Sequence, residues 1–264
     1  MTSGDSILEV KDLSVHFGRG DEVVKAVDGV SFTVGRGETL ALVGESGSGK
    51  SISALSLTKL APRTATYAGG QVLFNGTDML GLGDRALREI RGSQISYIFQ
   101  EPMVSFNPVF TIGWQIEEAL KLHRDDVDRK AEIERLLDLV HLPDRLAGAY
   151  PHQMSGGQLQ RCMIAMALAC SPELLVADEP TTALDVTVQR EILNLLKELS
   201  EKVGLSTLMI THNLGIVSDL ADRVCVMQKG KIVEEGATRQ VLDAPQHDYT
   251  KQLMAAVPRL TSKS

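Results

Sequence analysis

Short apolar runs separated by turn residues fill the N-terminal part of the chain. Residues 7–17 and 23–34 are rich in β-branched residues, and residues 18–21 between them have the composition of a turn. Residues 39–43 are continuously apolar, which is typical of a strand buried on both faces of a sheet. This part of the chain therefore predicts strands, with further candidates at residues 71–74 and 94–99.

A different periodicity begins at Ile112 and continues to about Ala169. Apolar residues recur there at helical spacing with charged residues between them, which predicts amphipathic helices. The recurring positions include Ile116, Ala119, Leu120, Ile133, Leu136, Leu137 and Val140. Residues 159–169 predict another helix.

Strand-like runs return after this helical stretch, at residues 174–177, 207–210 and 224–227. They alternate with helical segments such as residues 188–199. Alternation of strands and helices predicts a largely parallel α/β sheet.

Composition narrows the class of protein only slightly. The chain has 264 residues, 43% of them hydrophobic and 23% charged, as in an ordinary soluble domain. A net charge of −7 argues against a general nucleic-acid binder. No secretory leader or membrane-spanning run is visible. Three cysteines in apolar segments predict reduced core thiols, and hence a cytosolic protein: Cys162, Cys170 and Cys225.

A glycine-rich loop follows the predicted buried strand at residues 39–43 and precedes a predicted helix at residues 51–60. Glycines let the backbone N–H groups point at a phosphate, and the helix N-terminus favours an anion. Lys50 is placed to reach the β- and γ-phosphates, and Ser51 to ligate Mg²⁺. A plain glycine-rich turn would lack this strand–loop–helix context. The phosphate loop consists of Gly44, Glu45, Ser46, Gly47, Ser48, Gly49, Lys50 and Ser51.

Two adjacent carboxylates, Asp178 and Glu179, end the predicted strand at residues 174–177. Ligands of α/β sheets bind at the carboxyl ends of strands. Asp178 suits the Mg²⁺ shell, and Glu179 suits polarising an attacking water. An acidic pair after a strand is also common as a helix cap, and the phosphate loop is what favours the catalytic interpretation.

Gln100 and His212 also follow predicted strands. The Gln100 amide is placed to ligate Mg²⁺ or orient water, and the His212 imidazole to contact a γ-phosphate. Each residue alone is weak evidence for a functional site, because surface glutamines and structural histidines are common. The phosphate loop and the acidic pair make the functional interpretation the stronger one.

A second anion-binding pattern lies at a predicted helix start, in Ser155, Gly156, Gly157 and Gln158. Exposed N–H groups and the Ser155 hydroxyl suit a phosphate. Since one chain does not need two sites for a γ-phosphate, we expect this loop to serve a nucleotide held by a partner chain.

In this order, the motifs resemble those of the ATP-binding-cassette (ABC) ATPases, over about residues 7–258. The resemblance implies that residues 44–51 are the Walker A loop and that Asp178 and Glu179 are the Walker B pair. Residues 154–158 are then the signature loop, with Met154 where leucine is usual. Carried over by position, Phe17 stacks on adenine, Gln100 is the Q-loop glutamine, Asp185 the D-loop aspartate and His212 the switch histidine.

The resemblance also implies a fold. It is an α/β P-loop NTPase (RecA-like) core with an N-terminal antiparallel β subdomain and an inserted α-helical signature subdomain. We expect one nucleotide-binding domain over residues 1–264. The core with its β subdomain would span about 1–100 and 170–240, the helical subdomain about 101–169, and a short C-terminal extension about 241–264.

Finer motifs resemble the dipeptide, oligopeptide and nickel importers of bacteria and archaea. They lie at residues 99–108, 150–157, 178–185 and 248–253. This implies a prokaryotic ATPase that binds ATP and Mg²⁺ at the cytoplasmic face of the inner membrane. Its partners would be a second ABC ATPase subunit, expected to be a paralogue, two transmembrane permeases and an external substrate-binding protein, with no nucleic acid. No cysteine follows Cys225, so we expect no iron–sulfur cluster.

Mechanistically, the resemblance implies that two cassettes close head to tail over two ATP molecules. The region from Gln100 to Leu122 would contact the permeases. Cargo remains open between peptides and nickel or a metal chelate. Rival interpretations are a soluble cassette ATPase of DNA repair, translation or cluster assembly, and a small-molecule phosphotransferase, which leaves the signature loop unexplained.

Overall fold

The computed structural model of the chain describes residues 6–18, 22–182 and 184–256. Within these residues the strands are β1 (Ser6–Phe17), β2 (Val24–Gly35), β3 (Thr39–Val43), β4 (Thr66–Phe74), β5 (Thr77–Asp78), β6 (Ile95–Ile98), β7 (Leu174–Asp178), β8 (Ser206–Thr211), β9 (Arg223–Gln228) and β10 (Lys231–Ala237). The α-helices are α1 (Lys50–Ser56), α2 (Asp84–Ile90), α3 (Pro102–Ser105), α4 (Ile112–His123), α5 (Arg129–Leu139), α6 (Gly156–Leu168), α7 (Val186–Val203), α8 (Leu214–Leu220), α9 (Thr238–Asp243) and α10 (Asp248–Ala256). Short 3-10 helices lie at Met79–Gly81, Asp144–Gly148 and Pro151–Gln153.

The chain divides into two compact units. Unit 1 contains the described residues of Met1–Gly81 and Leu208–Ser264, and unit 2 contains those of Leu82–Thr207. Unit 1 therefore holds the phosphate loop and His212. Unit 2 holds the remaining predicted catalytic groups and the signature loop.

An antiparallel sheet in unit 1 has the strand order β2-β1-β4-β5. Leu8 of β1 pairs with Val34 of β2 and Phe74 of β4, and Val10 of β1 pairs with Val72 of β4. All five side chains are buried. Since alternate residues of a strand face the same side, one face of this sheet forms a core. This sheet corresponds to the predicted N-terminal β subdomain.

A second group of strands in unit 1 has the order β10-β9-β3. β3 runs parallel to β9, with Val43 opposite Val226, and β10 is antiparallel to β9. Every residue of β3 is buried, as predicted for a strand covered on both faces. The buried cluster on these strands also includes residues of α8, α9 and α10. Its members are Ala41, Val43, Leu214, Val217, Val224, Val226, Val241 and Tyr249.

Unit 2 combines two parallel strands with a group of helices. Ile95 of β6 lies opposite Leu174 of β7, and Ile98 lies opposite Ala177. Helices α4, α5 and α6 pack against one another, which confirms the helical stretch predicted from Ile112 onwards. α7 buries residues at helical spacing, namely Ile192, Leu195, Leu196 and Leu199.

The helix after the phosphate loop is shorter than predicted. Its pattern predicted residues 51–60, but α1 ends at Ser56. Lys59 adopts a left-handed backbone with φ of 56°, and the Leu60 N–H donates to the Leu55 carbonyl at 2.8 Å. This is the hydrogen bond of a Schellman helix end. Because a lysine, not a glycine, occupies the left-handed position, the sequence carries no sign of the stop.

Several elements were not predicted. α2, α8 and α9 have seven, seven and six residues, too short for a periodic pattern to be visible. β10 mixes exposed and half-buried residues without clean alternation. Residues 19–21 of the predicted turn lie outside the described residues. The predicted subdomain boundaries near residues 100, 170 and 240 stay predictions.

The three cysteines are all buried and free of disulfides, which confirms the prediction of core thiols. Burial raises the pKa of the Cys162 thiol to about 12, so it stays protonated and unreactive at neutral pH. Among the described helices, none combines the length and the apolar character needed to cross a membrane.

Candidate functional site

The phosphate loop connects β3 to α1 in unit 1, and two of its glycines lie against other parts of that unit. A Cβ at Gly44 would lie 2.1 Å from the Met227 carbonyl oxygen. A Cβ at Gly49 would lie 2.2 Å from the Ala26 carbonyl oxygen, and Gly49 has a φ of 106°. Only glycine fits at these two positions, because the neighbouring backbone leaves no room for a side chain.

The Lys50 ammonium lies inside the loop and is held there by its acceptors. Lys50 Nζ donates to the Gly44 carbonyl at 2.7 Å, to the Glu45 carbonyl at 2.9 Å and to Ser48 Oγ at 3.4 Å. Lys50 is only 5% exposed, whereas Glu45, Ser46 and Gly47 are exposed. The loop thus pairs a buried, oriented cation with an open backbone segment.

Helix α1 begins without a side-chain cap. Gly49 occupies the N-cap position and offers no side-chain acceptor to the first N–H groups of the helix. Ser51 lies in the first turn and is exposed. The start of α1 therefore combines uncapped N–H donors with an accessible hydroxyl, which suits phosphate and an associated metal ion.

His212 and Phe17 are the other predicted site residues in unit 1. His212 directly follows β8, as predicted, and is exposed. The next residue, Asn213, caps α8 by accepting a hydrogen bond from the Gly215 N–H at 2.9 Å. Phe17 ends β1, pairs with Val24 of β2 and is half-buried. Their roles toward a nucleotide stay predictions.

Gln100 and Glu179 meet at one end of the strands of unit 2. Because β6 and β7 are parallel, with Ile98 opposite Ala177, each residue lies two positions beyond a paired position. Gln100 Nε2 donates to Glu179 Oε2 at 3.3 Å. A carboxylate only accepts hydrogen bonds, so this contact turns the amide oxygen of Gln100 away from Glu179.

Thr182 also contacts Glu179 at this end of the strands, although no sequence pattern predicted it. Its hydroxyl donates to Glu179 Oε2 at 2.8 Å, and its N–H donates to the Glu179 carbonyl at 3.1 Å. Glu179 itself has a φ of 47°, which is uncommon outside glycine and asparagine and marks a constrained turn. Thr182 therefore fixes the direction of the Glu179 carboxylate. The only available signal was its place three residues after Glu179.

Asp178 is the last residue of β7 and is half-buried. Together with Ser51 and Gln100 it was predicted to ligate Mg²⁺. Hydroxyl, amide and carboxylate oxygens are the donors that Mg²⁺ prefers. Within the described residues no three of the His, Cys, Asp and Glu side chains cluster as metal ligands, but the predicted set contains only one such residue.

The signature loop begins α6 and is closed by its own side chains. Ser155 Oγ accepts from the Gln158 N–H at 3.3 Å, and Gln158 Oε1 accepts from the Ser155 N–H at 3.0 Å. This reciprocal pair is a capping box. A Cβ at Gly157 would lie 2.7 Å from Cγ1 of Val188 in α7, so this glycine also allows close helix packing.

Asp185 likewise serves as a local cap. Its Oδ1 accepts from the Thr187 N–H at 3.1 Å and the Val188 N–H at 3.0 Å, which starts α7. Asp185 is exposed. Ala183 of the predicted D-loop lies outside the described residues.

Exposed large apolar side chains are concentrated in the segment from Phe99 to Trp114 of unit 2, which we call the exposed apolar patch. Phe110 and Trp114 stack with ring centroids 3.9 Å apart. Met103, Val104 and Val109 are also exposed, with Val104 at 77%. A concentration of exposed large apolar side chains of this kind is typical of a protein-binding surface.

Comparison with known proteins finds a matching family model and many similar chains. A family model described as "ABC transporter" matches residues 27–182. The chain is 55% identical to the peptidoglycan transport ATP-binding protein YejF of Agrobacterium fabrum, over 98% of this chain and 48% of that protein. It is 47% identical to the dipeptide transport ATP-binding protein DppD of Haemophilus influenzae, over 96% of this chain and 78% of that protein. The chain thus spans about half the length of the first of these relatives.

Solved structures show the same fold. The dimeric post-hydrolysis structure of the ATP-binding cassette MJ0796 with ADP and Pi is similar with a TM-score of 0.78 and 29% identity, covering 88% of this chain and 99% of that chain. The predicted fold class is therefore confirmed.

Proposed function

The chain belongs to the family of ABC transporter ATPases, and from this premise we propose that it is the ATP-hydrolysing subunit of a membrane importer for peptides. The observation that carries the proposal is the hydrogen bond between Gln100 Nε2 and Glu179 Oε2 at 3.3 Å, with the Thr182 hydroxyl on the same oxygen. Gln100 and Glu179, predicted as catalytic from separate motifs, are thus joined directly by a hydrogen bond, as an ordered hydrolytic group requires.

The phosphate loop binds the phosphates of ATP. The exposed residues Ser46 and Gly47 and the uncapped start of α1 supply N–H donors, and Lys50 supplies a positive charge. The Lys50 ammonium now donates to neutral carbonyl groups. Phosphate oxygens are stronger acceptors for a cation, so they compete well for the same donor. Phe17 stacks on adenine.

Ser51, Asp178 and the amide oxygen of Gln100 hold Mg²⁺, which neutralises phosphate charge when bound. The orientation of Gln100 supports this role, because its amide nitrogen faces Glu179 and leaves the oxygen for the metal.

Glu179 accepts the proton of the attacking water. The hydroxyl of Thr182 and the amide of Gln100 fix the direction of the carboxylate that acts as the base. His212 contacts the γ-phosphate through its imidazole. The proposal is supported by the exposure of His212, which directly follows β8.

Two chains of this kind close over ATP, and the signature loop of each serves the nucleotide bound by the other. The helix start at Gly156 supplies N–H donors, and the Ser155 hydroxyl still has its own hydrogen to donate. Asp185, the N-cap of α7, orders the adjacent part of the interface between the two cassettes. We expect the second cassette to be a paralogue.

The permeases bind the exposed apolar patch between Phe99 and Trp114. Its stacked rings and exposed valines favour an apolar protein partner. Contact with two membrane permeases holds the chain at the cytoplasmic face of the inner membrane. An external binding protein delivers the cargo.

Peptides are the first choice of cargo, because the names of several relatives specify peptide or dipeptide transport. Fragments of peptidoglycan are the second, supported by the 55% identical relative. Nickel or a metal chelate, which the sequence motifs placed next after peptides, becomes the third. Uptake of labelled dipeptides, muropeptides and nickel by cells with and without this chain distinguishes them.

Co-purification tests the transporter assignment. We expect the tagged chain, extracted from membranes in mild detergent, to bring down two permeases and a second cassette. Val104→Asp should lose the permeases, because it puts a charge into the apolar patch. Val203→Asp is the matched control, since Val203 is a 63% exposed valine at the end of α7. Recovery of the wild-type chain only from the soluble fraction would contradict the importer and favour a soluble cassette ATPase.

A further inference from the structure

Tyr249 of α10 reaches the phosphate loop from the other end of the chain. Its hydroxyl accepts a hydrogen bond from the Glu45 N–H at 3.0 Å, across 204 positions of sequence. Tyr249 is 4% exposed, and its ring belongs to the buried cluster that includes Val43 and Val226. Burial raises the pKa of Tyr249 above its ordinary value, so the hydroxyl stays neutral at physiological pH.

The peptide group that Tyr249 contacts is the same one that orients Lys50, the lysine of the phosphate loop. The Glu45 N–H and the Gly44 carbonyl are the two ends of one planar peptide unit. Tyr249 holds the N–H end, and Lys50 Nζ donates to the carbonyl end at 2.7 Å. Rotation of this peptide would therefore move the acceptor that directs the Lys50 ammonium.

We propose that Tyr249 is a positioning residue for ATP binding, which fixes the Gly44–Glu45 peptide and through it the Lys50 ammonium. The inference rests on the proposed role of the phosphate loop in binding ATP. Tyr249 acts through the loop backbone and does not touch the nucleotide. Helix α10 thus takes part in nucleotide binding, although Tyr249 lies 204 positions from Glu45 in the sequence.

The segment before α10 is itself anchored, which keeps Tyr249 in place. Glu234 of β10 accepts from the Gln246 N–H at 2.8 Å and from the His247 N–H at 3.0 Å. His247 Nδ1 in turn accepts from the Tyr249 N–H at 3.2 Å. Burial acts to raise the pKa of Glu234, but the hydrogen bonds from these backbone N–H groups hold it below its ordinary value. A charged Glu234 therefore fixes the start of the helix.

The hydroxyl and the ring of Tyr249 have separate roles, so they can be tested apart. Tyr249→Phe keeps the ring in its cluster and removes the acceptor of the Glu45 N–H. We expect ATP and a non-hydrolysable ATP analogue to bind about fivefold more weakly, as for the loss of one buried hydrogen bond. The turnover number at saturating ATP should stay close to wild type, because Glu179 is unaffected.

Val241→Ala is the matched control. Val241 belongs to the same cluster and is 2% exposed, but its side chain has no hydrogen-bonding group. It should lower the thermal unfolding temperature, because it opens a cavity, and leave ATP affinity unchanged. Tyr249→Phe should show the reverse pattern, a weaker affinity with a small change in unfolding temperature.

Equal ATP affinity of the purified wild-type chain and Tyr249→Phe would overturn the inference and leave the proposed function intact. Equal losses of affinity in Tyr249→Phe and Val241→Ala would also overturn it, since general loosening of the core would then explain both. A wild-type chain that binds no ATP would contradict the proposed function itself. If Tyr249→Phe does not fold, Glu234→Gln replaces it, because one anchoring acceptor becomes a donor. We expect it to weaken ATP binding by about two- to tenfold, and an unchanged affinity would contradict the inference.

Discussion

The phosphate loop and the signature loop are both glycine-rich segments that lead into a helix, but different contacts hold them. The signature loop is closed within four residues by the reciprocal hydrogen bonds of Ser155 and Gln158. The phosphate loop has no side-chain cap at Gly49. Its backbone instead meets distant groups: the Tyr249 hydroxyl accepts from the Glu45 N–H, and the carbonyl groups of Met227 and Ala26 lie close against Gly44 and Gly49.

The difference shows two ways of preparing a helix start for an anion. A capping box satisfies the N–H groups of Ser155 and Gln158 locally, so the loop keeps its form wherever the helix forms. An uncapped start keeps its N–H groups for the ligand, and the fold must then hold the loop by other contacts. Substitutions in the phosphate loop should therefore change ligand binding, whereas those in the signature loop should first change local stability.

The largest effect is expected from substitution of Glu179, a residue outside both loops. This substitution separates ATP hydrolysis from ATP binding. Glu179→Gln should lower ATP turnover by about 100-fold or more, because the amide cannot accept a proton from water. ATP affinity should be retained, since both loops are unchanged. Steady-state turnover and equilibrium ATP binding measure the two effects. Glu201→Gln, at an exposed glutamate of α7, is the control, and substantial residual turnover in Glu179→Gln would contradict its role as the base.

The second-largest effect is expected from removing the positive charge of Lys50 inside the phosphate loop. Lys50→Ala should weaken ATP binding by about 10- to 100-fold, as for loss of a charge-assisted hydrogen bond. Titration with a fluorescent ATP analogue measures the change, and Lys25→Ala at an exposed lysine serves as the control. Unchanged affinity would show that the buried ammonium does not contact the phosphates.

Replacing one glycine in each loop by alanine compares the two loops directly. Gly44→Ala should cost about 1–3 kcal/mol of stability and impair ATP binding, because its Cβ meets a backbone oxygen that cannot move away. Gly156→Ala should have little effect, since its Cβ would lie 3.3 Å from Cδ2 at the far end of the Leu184 side chain, which can shift by a few tenths of an ångström. Denaturant unfolding and ATP titration of the pair measure both outcomes. Equal tolerance at the two positions would remove the distinction between the loops.

The smallest effect is expected from the cap of the signature loop. Ser155→Ala should lower the free energy of unfolding by about 1 kcal/mol, because α6 loses its N-cap. Binding of ATP to the isolated chain should not change. Ser155→Asn restores a capping side chain, so it should recover stability. ATP turnover of the complete transporter then shows whether the hydroxyl itself is needed: recovery with asparagine would contradict its contact with a partner's nucleotide.

Much of this fold was predictable because its signals are local. The buried strand β3, the helices α4–α6 and the helix start at Ser155 follow from apolar periodicity and capping residues within a few positions. The end of α1 was predicted wrongly, because Lys59 takes a left-handed backbone that usually requires glycine. The role of Thr182 was missed because its hydrogen bond depends on the unusual backbone of Glu179.

By itself, the sequence determined the family and the candidate residues, since phosphate-binding and acidic motifs depend on residue types at short fixed spacings. Only the tertiary structure decided how those residues are held. Gln100 meets Glu179 because two strands are parallel neighbours, and Tyr249 meets Glu45 because α10 packs on the strand that leads into the loop. Contacts across tens or hundreds of positions arise from packing, and no local window of sequence contains them.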